Sequence, residues 1–209
     1  MFRGTARPTK PQARNIRWRA VYTCTRNDIL GRMELRADAH LHHPRPIVFA
    51  AYRDKLTDLL PFLPNVRGID IKARADDGPR TTFHNVWNGG GDIPAAARAF
   101  VSEAMLSWSD YATWNADDFT CSWRIETHAM SEAIQCRGIN TFKEEAGGTL
   151  LEIRGTLEID AKKIRGIPGL LAGKAGKMIE EFMGARIQPN LVAVSKGLGQ
   201  YLDDRGGKL

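Results

Sequence analysis

The sequence has few cysteines and lacks any long run of apolar residues. The 209-residue chain holds three cysteines, Cys24, Cys121 and Cys136, and none of them forms a CxxC pair. A sparse, odd set of this kind is typical of a reducing compartment rather than of a disulfide scaffold, so we expect a cytoplasmic location. No apolar run approaches the roughly 18 residues of a transmembrane helix, and we expect no integral membrane segment.

Acidic residues are missing from the first 27 positions, which hold seven arginines and lysines. Without these seven residues, the chain has 23 basic and 24 acidic residues, so the rest of the chain is nearly neutral. The formal charge of +6 therefore comes from the first 27 residues. We predict that residues 1–32 form a basic, disordered extension and that residues 33–209 form the folded domain. Met33 is an alternative native start, because the first well-patterned strand begins there. The nearly neutral body has no clustered basic face, so we expect no nucleic-acid partner.

Motifs for phosphate binding and nucleophilic catalysis are also missing. Residues 169–175, GLLAGKA, resemble a phosphate-binding loop, but three residues rather than four separate the glycines and Ala175 follows Lys174. We interpret this segment as a flexible elbow. The chain has no GxSxG motif. His40 and His42 share a polar strand face with charged residues, so we expect no metal, and we expect no other cofactor.

Alternation of apolar and polar residues predicts seven strands. They lie around residues 33–41, 69–74, 80–88, 107–114, 119–128, 133–143 and 151–159. Two short helices follow the first strand, one opening at Pro46 and one ending at Pro61 and Pro64. An apolar stripe from Ile179 to Leu202 predicts a long C-terminal helix, kinked at Pro189. Hairpin-length turns make the sheet largely antiparallel. The pattern predicts an α+β domain with a cavity between helix and sheet.

This order of elements resembles the helix-grip fold of the START-like superfamily, which includes polyketide cyclases and aromatases, lipid-transfer domains and pollen-allergen-like carriers. The likeness is carried by the strand ending at His42, PRPIVFAAYRD from Pro44, LTDLLPFLPNV from Leu56, and the final strand and helix from Leu150 to Leu202. The resemblance implies a seven-stranded curved antiparallel sheet wrapped around the long helix. It also implies a central cavity for a hydrophobic small molecule or lipid. It supplies no catalytic residue, because members share architecture rather than catalytic machinery.

Aromatic residues at alternate strand positions predict the wall of such a cavity. We expect the wall to include Phe83, Trp87, Trp108, Asp110, Trp114, Trp123, Phe182 and Met183. Asp110 shares the strand face of Trp108 and Trp114, and a carboxylate in apolar surroundings needs a partner or has a raised pKa. The candidate partners are His84, Arg124 and Arg137. The alternative interpretation is that the tryptophans fill the core and Asp110 lies at a strand end.

Three glycines ahead of an alanine-rich segment predict a gate at the cavity mouth. Gly89, Gly90 and Gly91 would supply hinge freedom, Asp92 would cap a lid helix over residues 95–104, and Pro94 would open its first turn. Asp92 also argues against a phosphate at this helix end, because it would repel the anion.

Three functions remain open. The leading hypothesis is binding of a hydrophobic small molecule or lipid, which requires an apolar cavity with few titratable groups. An alternative is a polyketide cyclase-like enzyme, in which Asp110, His84 or Arg137 does acid–base work. A second alternative is a protein-interaction module, which requires a filled interior and an exposed apolar patch. The oligomeric state is left open.

Overall fold

The chain folds into a curved sheet that packs against one long helix. The computed structural model describes residues 31–90, 93, 106–164 and 169–209. Its strands are β1 Gly31–Leu41, β2 Val66–Asp77, β3 Arg80–Gly89, β4 Ser107–Asn115, β5 Thr120–Thr127, β6 Ile134–Glu145 and β7 Gly148–Ile159. Its helices are α1 Arg45–Asp54, α2 Gly169–Asp204 and two 3₁₀ helices, Leu56–Phe62 and Ala161–Lys163. The predicted seven strands, two short helices and long C-terminal helix are confirmed.

The seven strands form one antiparallel sheet in the order β1-β7-β6-β5-β4-β3-β2. Strands β2 to β7 follow chain order because tight turns join most of them. Gly78 and Gly147 occupy two of these turns with φ of +55° and +89°, a region that favours glycine. Strands β1 and β2 are the two edges, so the two short helices carry the chain from one edge of the sheet to the other.

The core lies between the inner face of the sheet and α2. Along β1, Leu35, Ala37 and Leu41 are buried, while the residues between them are more exposed. On α2, Ile179 and Leu202 are fully buried, which confirms the predicted apolar stripe. Alternation in the strands and three-to-four spacing in the helix thus point their apolar side chains at each other.

The ends of two helices differ from the prediction. Helix α2 begins at Gly169, so residues 169–175, predicted as an elbow, form its first turns. Leu, Ala and Lys are good helix formers and offset the glycines. The 3₁₀ helix Leu56–Phe62 contains Pro61 instead of ending there. Helix α2 continues through Pro189, and the kink expected there stays a prediction.

Two predictions concern residues outside the described ranges. The N-terminal extension falls there except for Gly31 and Arg32, which belong to β1 rather than to an extension. The lid helix over residues 95–104 also falls there. Within the described ranges, no helix is long and apolar enough to cross a membrane.

Candidate functional site

A cavity of about 150 Å³ lies between the inner face of the sheet and α2. Its wall is built from β3, β4, β5 and α2, with contributions from α1 and β6. The eight residues predicted to line a cavity all lie on this wall: Phe83, Trp87, Trp108, Asp110, Trp114, Trp123, Phe182 and Met183. They meet because the six strand residues share one face of the sheet, and the phenylalanine and methionine of α2 are buried against it.

The aromatic rings of this wall pack in two ways, as a stacked pair and as edge-to-face pairs. The rings of Trp87 and Trp108 stack with centroids 5.7 Å apart and an angle of 14° between their planes. Trp114 packs edge-on against Phe49 and Tyr52 at 5.2 and 5.3 Å. Such edge-to-face pairs fix ring orientations, so this end of the cavity is a packed aromatic cluster.

Two glycines create the place that Trp123 occupies. Trp123 lies opposite Gly138 in the sheet, and Gly138 lies opposite Gly155. A Cβ atom would come within 2.3 Å of the indole ring at Gly138 and within 2.7 Å at Gly155. The indole Nε1 donates a hydrogen bond to Oδ1 of Asn140 at 2.8 Å. The ring is therefore held against the sheet, where it forms part of the cavity wall.

Asp110 brings a carboxylate to this apolar wall. It lies directly opposite Asn85, whose Nδ2 donates a hydrogen bond to Oδ2 of Asp110 at 3.2 Å. Burial raises the pKa of Asp110 to about 6, and the amide of Asn85, the indole N–H of Trp87 and nearby His84 act in the opposite direction. Asp110 can therefore change its protonation state near neutral pH.

Two further polar atoms beside Asp110 are buried without a well-formed hydrogen bond. Oδ1 of Asn85 has no partner among the described residues, and the indole N–H of Trp87, although it lowers the pKa of Asp110, forms no hydrogen bond of normal length and angle there. The exposed fractions of these two residues are 2% and 9%. The sequence placed Asn85 on the same face as Trp87 but gave no sign of its role, because a buried asparagine in an alternating strand has no motif of its own.

None of the three partners predicted for Asp110 reaches it, and this is a correction. His84 lies on the outer face, where Nε2 contacts Oγ of Ser109 at 3.2 Å and the ring stacks on Tyr111 at 4.6 Å. Arg124 also lies over Tyr111, at 4.6 Å. Arg137 is opposite Arg124 and exposed. Each follows an inward residue by one position, and successive side chains of a strand point to opposite faces. His84 and Arg137 are thus unsuitable as cavity acids or bases.

Two other titratable residues of the wall, Tyr52 and Cys121, do not change charge near neutral pH. Burial raises the pKa of each well above its ordinary value. Arg53, also on the wall, forms two hydrogen bonds with Asp54, at 3.0 and 2.8 Å. Among the described residues of the wall, Asp110 is therefore the acid–base group that suits neutral conditions.

The start of the predicted gate adjoins the cavity. Gly89 and Gly90 line it together with Leu106, while Gly91, Asp92 and Pro94 fall outside the described residues. A Cβ atom at Gly89 would lie 2.4 Å from the carbonyl oxygen of Leu106. Gly89 is therefore required by close packing of the backbone, and the hinge and lid stay predictions.

The two histidines of β1 have separate surroundings. Nδ1 of His40 lies 2.8 Å from Oε2 of Glu145, whereas His42 is exposed. Across the described ranges, no group of three or more His, Cys, Asp or Glu side chains has the arrangement of a metal site.

No protein-family model and no curated protein matches the sequence. Solved structures do match. A protein from Thermus thermophilus is 21% identical with a TM-score of 0.52, over 82% of this chain and 98% of that chain. The Zhui aromatase/cyclase from Streptomyces sp. R1128 is 12% identical with a TM-score of 0.55, over 84% and 96%. Norcoclaurine synthase from Thalictrum flavum is 8% identical with a TM-score of 0.53, over 88% and 97%. The chain therefore has the helix-grip fold that these structures share.

Proposed function

We propose that the protein binds a hydrophobic small molecule in the cavity between the sheet and α2. The observation that carries this proposal is the aromatic wall around about 150 Å³ of space. Burial of a ligand's apolar surface contributes about 25 cal/mol per Å², less the cost of ordering the ligand. A volume of this size is similar to that of a cavity that holds benzene, which favours a compact ring system over a long acyl chain.

The fold and the interior support this choice over an interaction module. A module that binds a partner protein needs a filled interior and an apolar outer patch, whereas here the space lies inside. Structures with the same fold include an aromatase/cyclase and a norcoclaurine synthase, which is consistent with a small molecule as the ligand.

A pair of neighbouring residues on β4 gives a matched test. Ala112 lines the cavity, whereas Thr113 has the opposite strand parity and faces outward. Ala112→Leu is expected to weaken binding of naphthalene, followed by its fluorescence, at least tenfold, because the added carbons occupy ligand space. Thr113→Leu is expected to leave binding unchanged.

Native mass spectrometry of the purified wild-type protein, with solvent extraction, completes the test. We expect a co-purifying apolar molecule or, after extraction, a cavity that accepts the probe. If no molecule is extracted and the two leucine variants bind the probe equally, the cavity is not a binding site and the proposal is wrong.

Acid–base catalysis on the bound ligand is the second candidate. It is favoured by the carboxylate of Asp110, because a pKa of about 6 lies in the range of effective general bases. The carboxylate would remove a proton from carbon next to a carbonyl group, leaving an enolate and a protonated Asp110. The carboxylic acid would exchange its proton with water and return one to the same carbon, which restores the carboxylate. With one such group rather than two among its described residues, the cavity suits simple proton transfer better than a cyclase that uses a separate acid and base.

Exchange of deuterium into 2-tetralone, followed by NMR in D₂O, tests this chemistry. The wild-type protein is expected to accelerate exchange at the carbon next to the carbonyl, with a rate that rises as the pH passes about 6. Asp110→Asn should remove the acceleration while the exposed Asp117→Asn keeps it. Equal rates for these two variants would refute a catalytic role for Asp110.

A further inference from the structure

Two residues of the cavity wall carry buried polar atoms that lack a well-formed hydrogen bond. Nε1 of Trp87 is a donor and Oδ1 of Asn85 is an acceptor, and neither makes a hydrogen bond of normal length and angle in the described part of the chain. Buried polar groups are nearly always paired, because an unpaired one loses its hydrogen bonds to water. A group that enters the cavity and pairs with both atoms would recover that loss.

Four side chains form a block at this place, which we call the β3–β4 block: Asn85, Trp87, Trp108 and Asp110. Strand register puts Asn85 opposite Asp110 and Trp87 opposite Trp108. All four line the cavity. Residues two apart on a strand lie on the same face, so the polar pair adjoins the stacked tryptophan pair, whose centroids are 5.7 Å apart.

We propose that the β3–β4 block selects a hydroxylated aromatic ligand, whose hydroxyl group accepts a hydrogen bond from Nε1 of Trp87 and donates one to Oδ1 of Asn85 or to the carboxylate of Asp110. This inference rests on the proposed binding function of the cavity. The aromatic ring system of the ligand packs against the tryptophan pair. The block therefore selects a ligand that is flat and that carries a hydroxyl group.

A hydroxyl group fits the block better than the other common polar groups. It is both a donor and an acceptor, whereas an ammonium group only donates and a ketone only accepts. An ammonium group would leave Nε1 of Trp87 unpaired, and a ketone would leave Oδ1 of Asn85 unpaired. A carboxylate on the ligand would meet the carboxylate of Asp110, and like charges repel.

The amide orientation of Asn85 supports the same assignment. Nδ2 donates to the carboxylate of Asp110 at 3.2 Å, which leaves Oδ1 as the unpaired atom of the amide. The reversed amide would set an oxygen against the carboxylate, an unfavourable contact while Asp110 is ionised. Above pH 6 the block therefore presents two acceptors, Oδ1 and the carboxylate, next to one donor, Nε1 of Trp87.

The test compares two probes that differ by one hydroxyl group, 2-naphthol and naphthalene. Binding of each is measured by titration at pH 7.5, and the readout is the ratio of the two dissociation constants. We expect the wild-type protein to bind 2-naphthol about tenfold more tightly, the value of about one well-made hydrogen bond in a buried site. Trp87→Phe keeps an aromatic ring but removes the N–H, so it should reduce this preference to near unity.

Trp108→Phe is the matched control, because the indole nitrogen of Trp108 is not one of the buried unpaired atoms. It is expected to change the affinity for both probes alike and to keep their ratio. Asn85→Leu removes the acceptor and should lower the ratio in the same direction as Trp87→Phe.

The outcomes separate this inference from the proposed function. If neither probe binds the wild-type protein, the proposed function fails and the inference fails with it. If both bind but with equal affinity, or if Trp87→Phe and Trp108→Phe change the ratio equally, the cavity still binds apolar ligands and the hydroxyl assignment is overturned.

Discussion

Replacement of Asp110 by asparagine is expected to stabilise the protein increasingly as the pH rises. In the folded chain burial raises the pKa of Asp110 from 3.8 to about 6. In the unfolded chain the carboxyl group is in water and keeps its ordinary pKa, so the folded state binds the proton more tightly. The penalty for ionising Asp110 is therefore absent below pH 3.8, grows from there to about pH 6 and is constant above it.

The size of the penalty follows from the two pKa values. One pKa unit corresponds to about 1.36 kcal/mol, so the rise from 3.8 to about 6 corresponds to about 3 kcal/mol at neutral pH. Of this, about 2 kcal/mol develops between pH 4 and pH 8. Asparagine has nearly the same shape and carries no charge at any pH. Other effects of the exchange shift the whole curve, so the pH dependence isolates the ionisation.

Urea unfolding at half-unit steps from pH 4 to pH 8 measures this effect. The difference in unfolding free energy between Asp110→Asn and the wild-type protein should rise and then level off above pH 6. Asp117→Asn, which changes an exposed carboxylate in the turn after β4, controls for the residue exchange. A difference for Asp110→Asn that stays flat across this range would refute the argument, because it would mean that water reaches the carboxylate.

Two further predictions concern packing and thiol reactivity. Gly138→Ala should destabilise the protein by about 1–3 kcal/mol, because its Cβ would lie 2.3 Å from an indole ring and from a carbonyl oxygen. Gly173→Ala, which meets no atom within 4 Å in α2, should instead stabilise it by up to about 1 kcal/mol; equal urea midpoints for the two variants would contradict this. In a Cys24→Ser protein, Cys121 and Cys136 should resist iodoacetamide at pH 8 until the chain unfolds, because burial raises the pKa of Cys136 to about 12 and raises that of Cys121 well above its ordinary value. Mass spectrometry follows the labelling, and equal rates in native and unfolded protein would refute it.

Strand alternation predicted the membership of the cavity wall because it fixes which side chains share a face. Trp108, Asp110 and Trp114 of β4 are separated by even numbers of residues, and all three line the cavity. The rule holds within one strand and needs no knowledge of its neighbours. It also placed Phe83 and Trp87 of β3 on one face, and both of them line the cavity.

Contacts between strands were not predictable in the same way. The partner of Asp110 depends on register, and the sequence does not state that Asn85 lies opposite it. Charge suggested Arg137 instead. Alternation applied to β6 would have excluded that choice, because Cys136 is buried and its neighbour must face outward. The prediction of Arg137 relied on the attraction between opposite charges, although the alternation of side chains along β6 was enough to exclude it.

The start of α2 shows a second limit. Gly169 and Gly173 made residues 169–175 look like a flexible connection, since each glycine costs about 1 kcal/mol in a helix. The helix nevertheless includes them. Farther along, the buried residues Ile179 and Phe182 anchor α2 against the sheet, and tertiary packing of this kind outweighs local propensity. Such packing is not visible in the segment itself.

The polar side chains of the β3–β4 block depart from the rule that buried polar groups are paired. Asn85 and Asp110 occupy inward strand positions where Leu or Val would avoid both the ionisation penalty and the unpaired oxygen. Elsewhere on this face a buried polar group is paired, as Asn140 is with Trp123 at 2.8 Å. The unpaired atoms of Asn85 and Trp87 belong to residues that line the cavity. Natural proteins depart from the rules of stable packing mainly at functional sites. Since the residues that carry these atoms line the cavity, we attribute their cost in stability to the function of the cavity. A sheet built only for stability would have no reason to place an acid, an amide and an indole N–H together on the wall of a cavity.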